Sequence, residues 1–480
     1  MTYVPEHQYR CTIIRGKSQT DMEDLLPFYS NTIHSICPCT KIEFNLRANK
    51  MFSKALFDNG SYETLPDSNK KTVRNHITEI AGKLLGLYYT EYDEDTSVDI
   101  VYESESCKFL YDQKDYPTFF KNLCFNFQFP NAEKKKEAVS IEMKNEIRIK
   151  PFCYVISLLY YAQLQPSKKL LEQQEVGYYV LNNLDVLQGK VDCKTVYERI
   201  MYDRNHHIKR NKLSGSNEWQ HIKEQFNLLE LAYLVETNAQ YIWLNKDEGN
   251  AINAFVDHVN DFKFNPYKFD DIENKTIWLD FSSEWGKYYG SMNPDLMSAL
   301  VPRKKEPIVL KGFDDLIAAG GAIKSSVDLG DEGEALVYKL EQNRVRHYKE
   351  RLVNKVLLLG KTKGLGYDIS SIEAEENPDK PEFARYIEVK STRRTTEPSF
   401  DKCWLDSLNL TSKEWVAAEQ YGDYYYIYRV YFTKHKTIIV RIKNPFKKWK
   451  EEKTIDVFPT IYQMDFGSDT IEKIYAKEIS

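Results

Sequence analysis

The sequence has no apolar run near the ~20 residues a membrane-spanning helix needs, and nothing in it reads as a signal peptide. A cytoplasmic protein with reduced thiols and no membrane partner is therefore expected. The eight cysteines are scattered, and the one close pair, Cys37 and Cys39, has no second pair to complete a tetrahedral zinc site. The phosphate-cradling pattern G-x-x-x-x-G-K-[ST] is absent too, which excludes a P-loop ATPase or helicase. Positive charge is not in excess either, since 66 Lys and Arg against 71 Asp and Glu leave a net charge of -5. The whole chain exerts no pull on nucleic acid, so any such binding must rest on local basic patches. Repeats and long low-complexity tracts are missing as well.

At 480 residues the chain exceeds what one hydrophobic core serves. Three domains are read. A charged break over residues 131–137 separates a small α/β module, 1–135, from a mainly helical region, 136–300. A proline-bracketed basic stretch, Pro302 to Pro307, then opens a third domain, 301–480. Within the first, residues 9–14 and 98–102 alternate like strands, whereas 70–89 carries Val73, Ile77, Ile80, Ala81, Leu84 and Leu85 on one helical side.

In the second, residues 149–161, 168–181 and 222–236 have helical apolar spacing, and 239–244 alternates like a strand. Helices ahead of a short strand pair resemble a winged-helix layout, whose second helix enters the major groove. The basic segment 199–212, with Arg204, Lys209, Arg210 and Lys212, would then contact DNA phosphates. The alternative is a solvated loop between helices. His206 and His207 lie in the same segment but point in different directions, so no metal site is expected of them.

The third domain carries the chemistry. Residues 356–360, 367–372 and 386–389 read as three strands behind a long helical pattern that opens after Gly330. Side chains alternate along a strand, so Glu388 and Lys390 share a face while Val389 turns to the other. With Asp368 on the neighbouring strand, two carboxylates and an ammonium are aimed at one point. Anionic oxygen ligands suit Mg²⁺, and an ammonium can orient a water and offset charge on a phosphate. Metal-dependent phosphodiester cleavage is the predicted chemistry. Glu334 and Glu341 fall on one face of the preceding helix, where an acid near the start would also complement the helix dipole. The alternative for all these charges is a salt-bridge network on strand ends, Lys390 pairing with Asp368.

Helix, strand, strand, strand with Glu334, Asp368, Glu388 and Lys390 is similar to the PD-(D/E)XK nuclease superfamily, with Tyr367 in place of the proline. A closer resemblance, over residues 330–430, is to the NO VEIN C-terminal domain family. It rests on six blocks in order: Gly333-Glu334, Tyr338 to Glu341, Gly366 to Ser371, Ile387 to Thr392, Leu410 to Trp415 and Tyr426 to Val430. The expected fold class is thus α/β, or α+β overall: a PD-(D/E)XK-like mixed sheet flanked by helices, behind the winged-helix-like region and the N-terminal module.

The resemblance implies that Asp368, Glu388 and Glu334 hold Mg²⁺, with Mn²⁺ as a substitute, and that Lys390 orients the attacking water. Products would be 5′-phosphate and 3′-hydroxyl ends. A recognition region ahead of a nuclease is similar in layout to restriction endonucleases, so a sequence-specific DNA endonuclease of restriction or phage-defence type is expected. Its partner would be double-stranded DNA, and cutting both strands calls for a homodimer or a second nuclease subunit. The alternatives are a non-catalytic DNA- or protein-binding component of a prokaryotic defence complex, and an RNA nuclease. For Glu414, a capping box with Thr411 is a sufficient local role. The basic run 443–453, with Pro445 and Trp449, would rest on DNA or form an exposed face.

Overall fold

The computed structural model describes residues 9–58, 61–93, 96–166, 170–210, 216–300, 326–360, 364–401, 404–459 and 462–478. The chain divides into two units, one of Met1–Gln19, Tyr29–Asp112 and Pro117–Leu300, the other of Thr20–Phe28, Gln113–Tyr116 and Val301–Ser480.

Aromatic rings build the core of the first unit. Phe127 meets Phe129, Phe152, Trp285 and Tyr289 edge-on, at centroid distances from 5.1 to 6.4 Å. Helices surround this core, Pro151–Leu164 opening on a proline at its first turn. Two small antiparallel sheets complete the unit, one of Cys39–Thr40, Val98–Glu103 and Tyr88–Asp93, the other of Leu171–Glu172, Tyr241–Leu244 and Val235–Thr237. The helical spacing over 70–89 is realised only to Leu84, because Gly86 takes a φ of +60° and Tyr88 joins a sheet. Residues 9–14 form no strand. Cys11 and Ile13 are buried in strand-like alternation, yet the Tyr9 N–H donates to the Asn182 carbonyl in place of a ladder partner. The helix expected over 168–181 begins only at Gln173, since Leu171 and Glu172 pair with Ile242 and Tyr241.

In the second unit, helix α1 (Ser326–Tyr348) precedes strands β1 (Leu357–Leu358), β2 (Ile369–Ile372), β3 (Ala384–Arg393) and β4 (Asp406–Leu410). Helix α2 (Ser412–Tyr421) follows, then β5 (Tyr425–Phe432), β6 (Lys436–Lys443), β7 (Asp456–Pro459), β8 (Tyr462–Phe466) and β9 (Lys473–Glu478). Six of these strands form a mixed sheet in the order β9-β6-β5-β3-β2-β1, with β5 parallel to β3 and the other pairs antiparallel. The parallel pair needs a crossover, and α2 supplies it. All eight residues of β5 are buried, as expected of a strand covered on both faces. Tyr426, Tyr428 and Val430 pack with Leu336 and Val337 of α1, while Tyr425 and Ile427 pack with Trp415 and Ala418 of α2. The strand read over 356–360 lies at the sheet edge instead of inside it, with Leu357 and Leu358 exposed.

The α1 face encloses charge as well as apolar surface. The Glu341 carboxylate, fully buried, accepts hydrogen bonds from Arg344 Nη2 (2.6 Å), Ser371 Oγ (2.7 Å) and the Tyr428 hydroxyl (2.7 Å). Arg385, equally buried, reaches Glu341, Glu373 and Glu376. Burial raises the Glu341 carboxyl, but the guanidiniums of Arg344 and Arg385 outweigh it and hold the group below its usual range. Removing one member of such a network leaves its partners charged in the interior. Glu341→Ala is expected to cost about 3–5 kcal/mol, read as a lower urea midpoint with an unchanged slope; a wild-type midpoint would show that the network contributes nothing.

Candidate active site

Gly366 sets the approach of α2 to the loop that leads into β2. Its φ is +77°, and a Cβ there would meet the Lys413 carbonyl oxygen at 2.6 Å and the Ala417 Cβ at 2.8 Å. Only glycine meets both demands. The Tyr425 hydroxyl donates to the Gly366 carbonyl (2.9 Å) and fixes the loop from beneath. Two residues on, the Asp368 N–H donates to the Ile387 carbonyl (2.9 Å), and its Oδ2 accepts from the Val389 N–H (2.8 Å). Asp368 is thereby held on either side of Glu388.

Strand alternation turns Val389 into the α1 core and leaves Glu388 and Lys390 toward α2. Lys390 Nζ lies 2.7 Å from Glu388 Oε1 and 2.9 Å from Glu414 Oε2. The carboxyl groups of Asp368 and Glu388 are close enough to act on each other electrostatically. Three acidic side chains thus gather about one ammonium, more than a single lysine can balance. Burial pushes the Asp368 carboxyl up, against the pull of the Val389 N–H and Lys390. Burial likewise raises Glu388 well above the usual carboxylate range, and Lys390 offsets this only in part because Asp368 and Glu414 add to it. For Lys390 burial acts downward, but Glu388 and Glu414 dominate and keep the ammonium charged. The Lys390 side chain retains 23% exposure against 4% for Glu388, and Asp368 is likewise only partly buried.

A hard divalent cation suits this donor set, because Asp368 and Glu388 offer carboxyl oxygens that such a cation would hold ionised. Glu334 comes from α1, which covers the other face, and packs over Gly360. Gly360 follows Leu359, whose N–H donates to the Asp368 carbonyl (2.6 Å). Since α1 begins at Ser326, Glu334 stands in its third turn and not at the dipole end of the helix.

The basic segment of the first unit is placed differently from a set of extended cations. Arg204 forks onto Glu175, with Nε 2.6 Å from Oε1, and also donates to the Leu170 carbonyl. Arg210 grips Asp203 through Nε (2.6 Å) and Nη2 (3.0 Å). Lys209 is exposed, as are His206 and His207, and Lys212 lies outside the described residues.

A family described as "Restriction endonuclease BpuJI - N terminal" matches residues 3–285. The chain belongs to this family. Residues 333–442 match a second description, "Protein NO VEIN, C-terminal", so the resemblance read from the six blocks is borne out. A crystal structure of the BpuJ1 endonuclease binding domain in complex with pyrene- and phenanthrene-modified DNA is similar at 36% identity and a TM-score of 0.54. The likeness covers 60% of this chain and 100% of that one. No curated protein matches. The chain therefore joins a restriction-endonuclease N-terminal region to a NO VEIN C-terminal-like region, and the mixed α/β class expected of it holds.

Two features of the second unit add to what was read from the sequence. Glu414 does form the capping box with Thr411, but the same Oε2 also meets Lys390. Within the basic run 443–453, Pro445 is buried and Trp449 packs on Trp415, while Lys447, Lys450 and Lys453 are exposed. A Glu at the third position of a helix is signal enough for a cap, whereas its contact with a lysine 24 positions earlier depends on the sheet.

A carboxyl raised in the folded state contributes stability that is full below its ordinary pKa and is lost as pH rises toward the folded value. Without divalent ions, wild type should therefore lose stability as pH climbs above about 4.5. Glu388→Gln should lack this loss and exceed wild type by roughly 1–3 kcal/mol at pH 8. Urea midpoints at pH 5 and pH 8 test this, and a difference between the two proteins that does not grow with pH would refute it.

Proposed function

We propose that this protein is a Mg²⁺-dependent, sequence-specific DNA endonuclease of restriction type. The observation that carries the proposal is the cluster of Asp368, Glu388 and Lys390, two carboxyl groups and an ammonium brought together on neighbouring strands, in a chain whose residues 3–285 match a restriction-endonuclease family.

In this reading Asp368 and Glu388 hold the cation, Glu334, which comes from the α1 side, serves as a further ligand through water, and Mn²⁺ substitutes for Mg²⁺. The cation supplies Lewis-acid stabilisation of the charge that develops on the phosphate. Lys390 orients the attacking water and neutralises a phosphate oxygen. Val389 and Gly366 act through the backbone, the first by fixing Asp368 and the second by letting α2 close on the loop. Cleavage leaves 5′-phosphate and 3′-hydroxyl ends. A single site makes one cut, so a homodimer or a second nuclease subunit is assigned to double-strand cleavage.

Recognition of double-stranded DNA falls to residues 1–135 and 136–300, and cleavage to 301–480. The likeness to a DNA-complexed binding domain supports the first assignment. The winged-helix-like reading of 136–300 is supported by the helix Ser216–Leu231 and the strand pair behind it. Among Arg204, Lys209, Arg210 and Lys212, the exposed Lys209 offers a phosphate contact, while Arg204 and Arg210 hold the segment in shape through Glu175 and Asp203.

The test is to incubate the full chain with Mg²⁺ and a mixed pool of methylated and unmethylated plasmids, then sequence the ends. Discrete cuts at a recurring site are expected, and Asp368→Ala or Lys390→Ala should lower the rate by about 10²–10³-fold while DNA binding persists. Variants that cut like wild type would remove these residues from the reaction. Binding without cleavage by wild type would leave a DNA-binding protein alone, and cleavage confined to RNA would reassign the substrate.

A second measurement concerns the cation itself. Mg²⁺ at about 100 times its dissociation constant should stabilise wild type by roughly 2.7 kcal/mol and leave Asp368→Ala unmoved. An equal shift in both, read by thermal melting, would place cation binding elsewhere.

A further inference from the structure

We infer that Glu414 is a positioning residue for Lys390, holding its ammonium in place when Glu388 is engaged by a divalent cation. The inference rests on the nuclease reading of this site. Two residues apart on one strand face, Glu388 and Lys390 meet whatever surrounds them. An ammonium lying on Glu388 alone would compete with a cation for that carboxylate and would lose its own partner when the cation won.

Glu414 removes this conflict because it belongs to a different element. Its Oε2 lies 2.9 Å from Lys390 Nζ, close to the 2.7 Å of the Glu388 contact. The same oxygen accepts the Thr411 N–H at 2.9 Å, and the Glu414 N–H donates to Thr411 Oγ1 at 3.3 Å. The carboxylate is therefore fixed by the start of α2 and cannot drift with the lysine. Helix α2 is in turn fixed, since Gly366 admits it against the loop before β2 and Trp415 packs on Phe446 and Trp449 at 5.7 and 5.6 Å. A capping glutamate needs nothing beyond the backbone of its own turn. This one has only 14% of its side chain exposed and points at the one ammonium of the site.

Glu414→Gln separates the two roles, because Gln serves the third position of a capping box as Glu does while lacking the charge. Thr411→Ala is its counterpart: it removes the hydroxyl from the cap and leaves the carboxylate on Lys390. Two readouts on the full chain are needed. The first is cleavage of supercoiled plasmid at saturating Mg²⁺. The second is proton exchange at the Lys390 ammonium, followed by ¹⁵N NMR in metal-free protein, with the signal assigned by its absence in Lys390→Met. An ammonium held by two carboxylates exchanges slowly, and one held by Glu388 alone exchanges faster.

Glu414→Gln is expected to lower cleavage by about 10–100-fold and to accelerate the exchange, with an unchanged melting temperature. Thr411→Ala should melt earlier yet keep wild-type cleavage and exchange. The inference is overturned if Glu414→Gln retains wild-type cleavage, or if Thr411→Ala loses as much as Glu414→Gln. If wild type cuts no DNA, the nuclease reading fails by itself and the exchange measurement decides the pairing: wild-type exchange in Glu414→Gln overturns it, and faster exchange upholds it.

Discussion

Lys390 sits 2.7 Å from Glu388 and 2.9 Å from Glu414, and the demands of these two ion pairs run through the surrounding sheet. Taking a carboxylate or an ammonium out of water costs several kcal/mol per ion, and attraction offsets this only where the geometry is held firmly. The firmness comes from β3, clamped between β2 and the fully buried β5. It comes equally from the Val389 N–H on Asp368 and from the glycine that lets α2 bring Glu414 close. Loosen any of these and the charges would separate or admit water.

The two faces of β3 treat buried charge in opposite ways, and the contrast distinguishes structural groups from a functional cluster. Toward α1, Glu341 faces Arg344 and Arg385, and its hydrogen bonds are complete. Positive charge there is sufficient, so the carboxyl is held below its usual range. Toward α2, three carboxylates share one lysine, and Asp368 and Glu388 are raised. Such an arrangement stabilises nothing by itself. Groups perturbed by burial and by like neighbours in this way cluster at functional sites, though structural ion-pair networks show them too.

The local parts of this were legible in the sequence. Strand alternation put Glu388 and Lys390 on one face, and the spacing of Thr411 and Glu414 announced a helix cap. Contacts that close over long separations were not legible, because periodicity records which face a residue occupies and not what stands opposite. Glu414 on Lys390 is such a contact. So are Glu23, which accepts the N–H groups of Thr395 and Thr396, and Asp24, which binds Arg394, placing a short early segment in the C-terminal unit. The same limit explains residues 9–14, where strand-like burial arises without a strand partner.

It also bears on the basic segment of the first unit. Phosphate binding draws its strength from counterions released by free cations. A guanidinium already forked onto a carboxylate brings little net charge, and both Arg204 and Arg210 are so engaged. With a chain carrying a net charge of -5, the segment that looked most basic is thus poorly suited to supply affinity alone. Its ion pairs anchor the end of the helix Cys193–Asn205 instead, tying Arg204 to Glu175 and Asp203 to the chain beyond. Under the proposed function, these two guanidiniums hold the segment in shape and leave phosphate contact to other side chains.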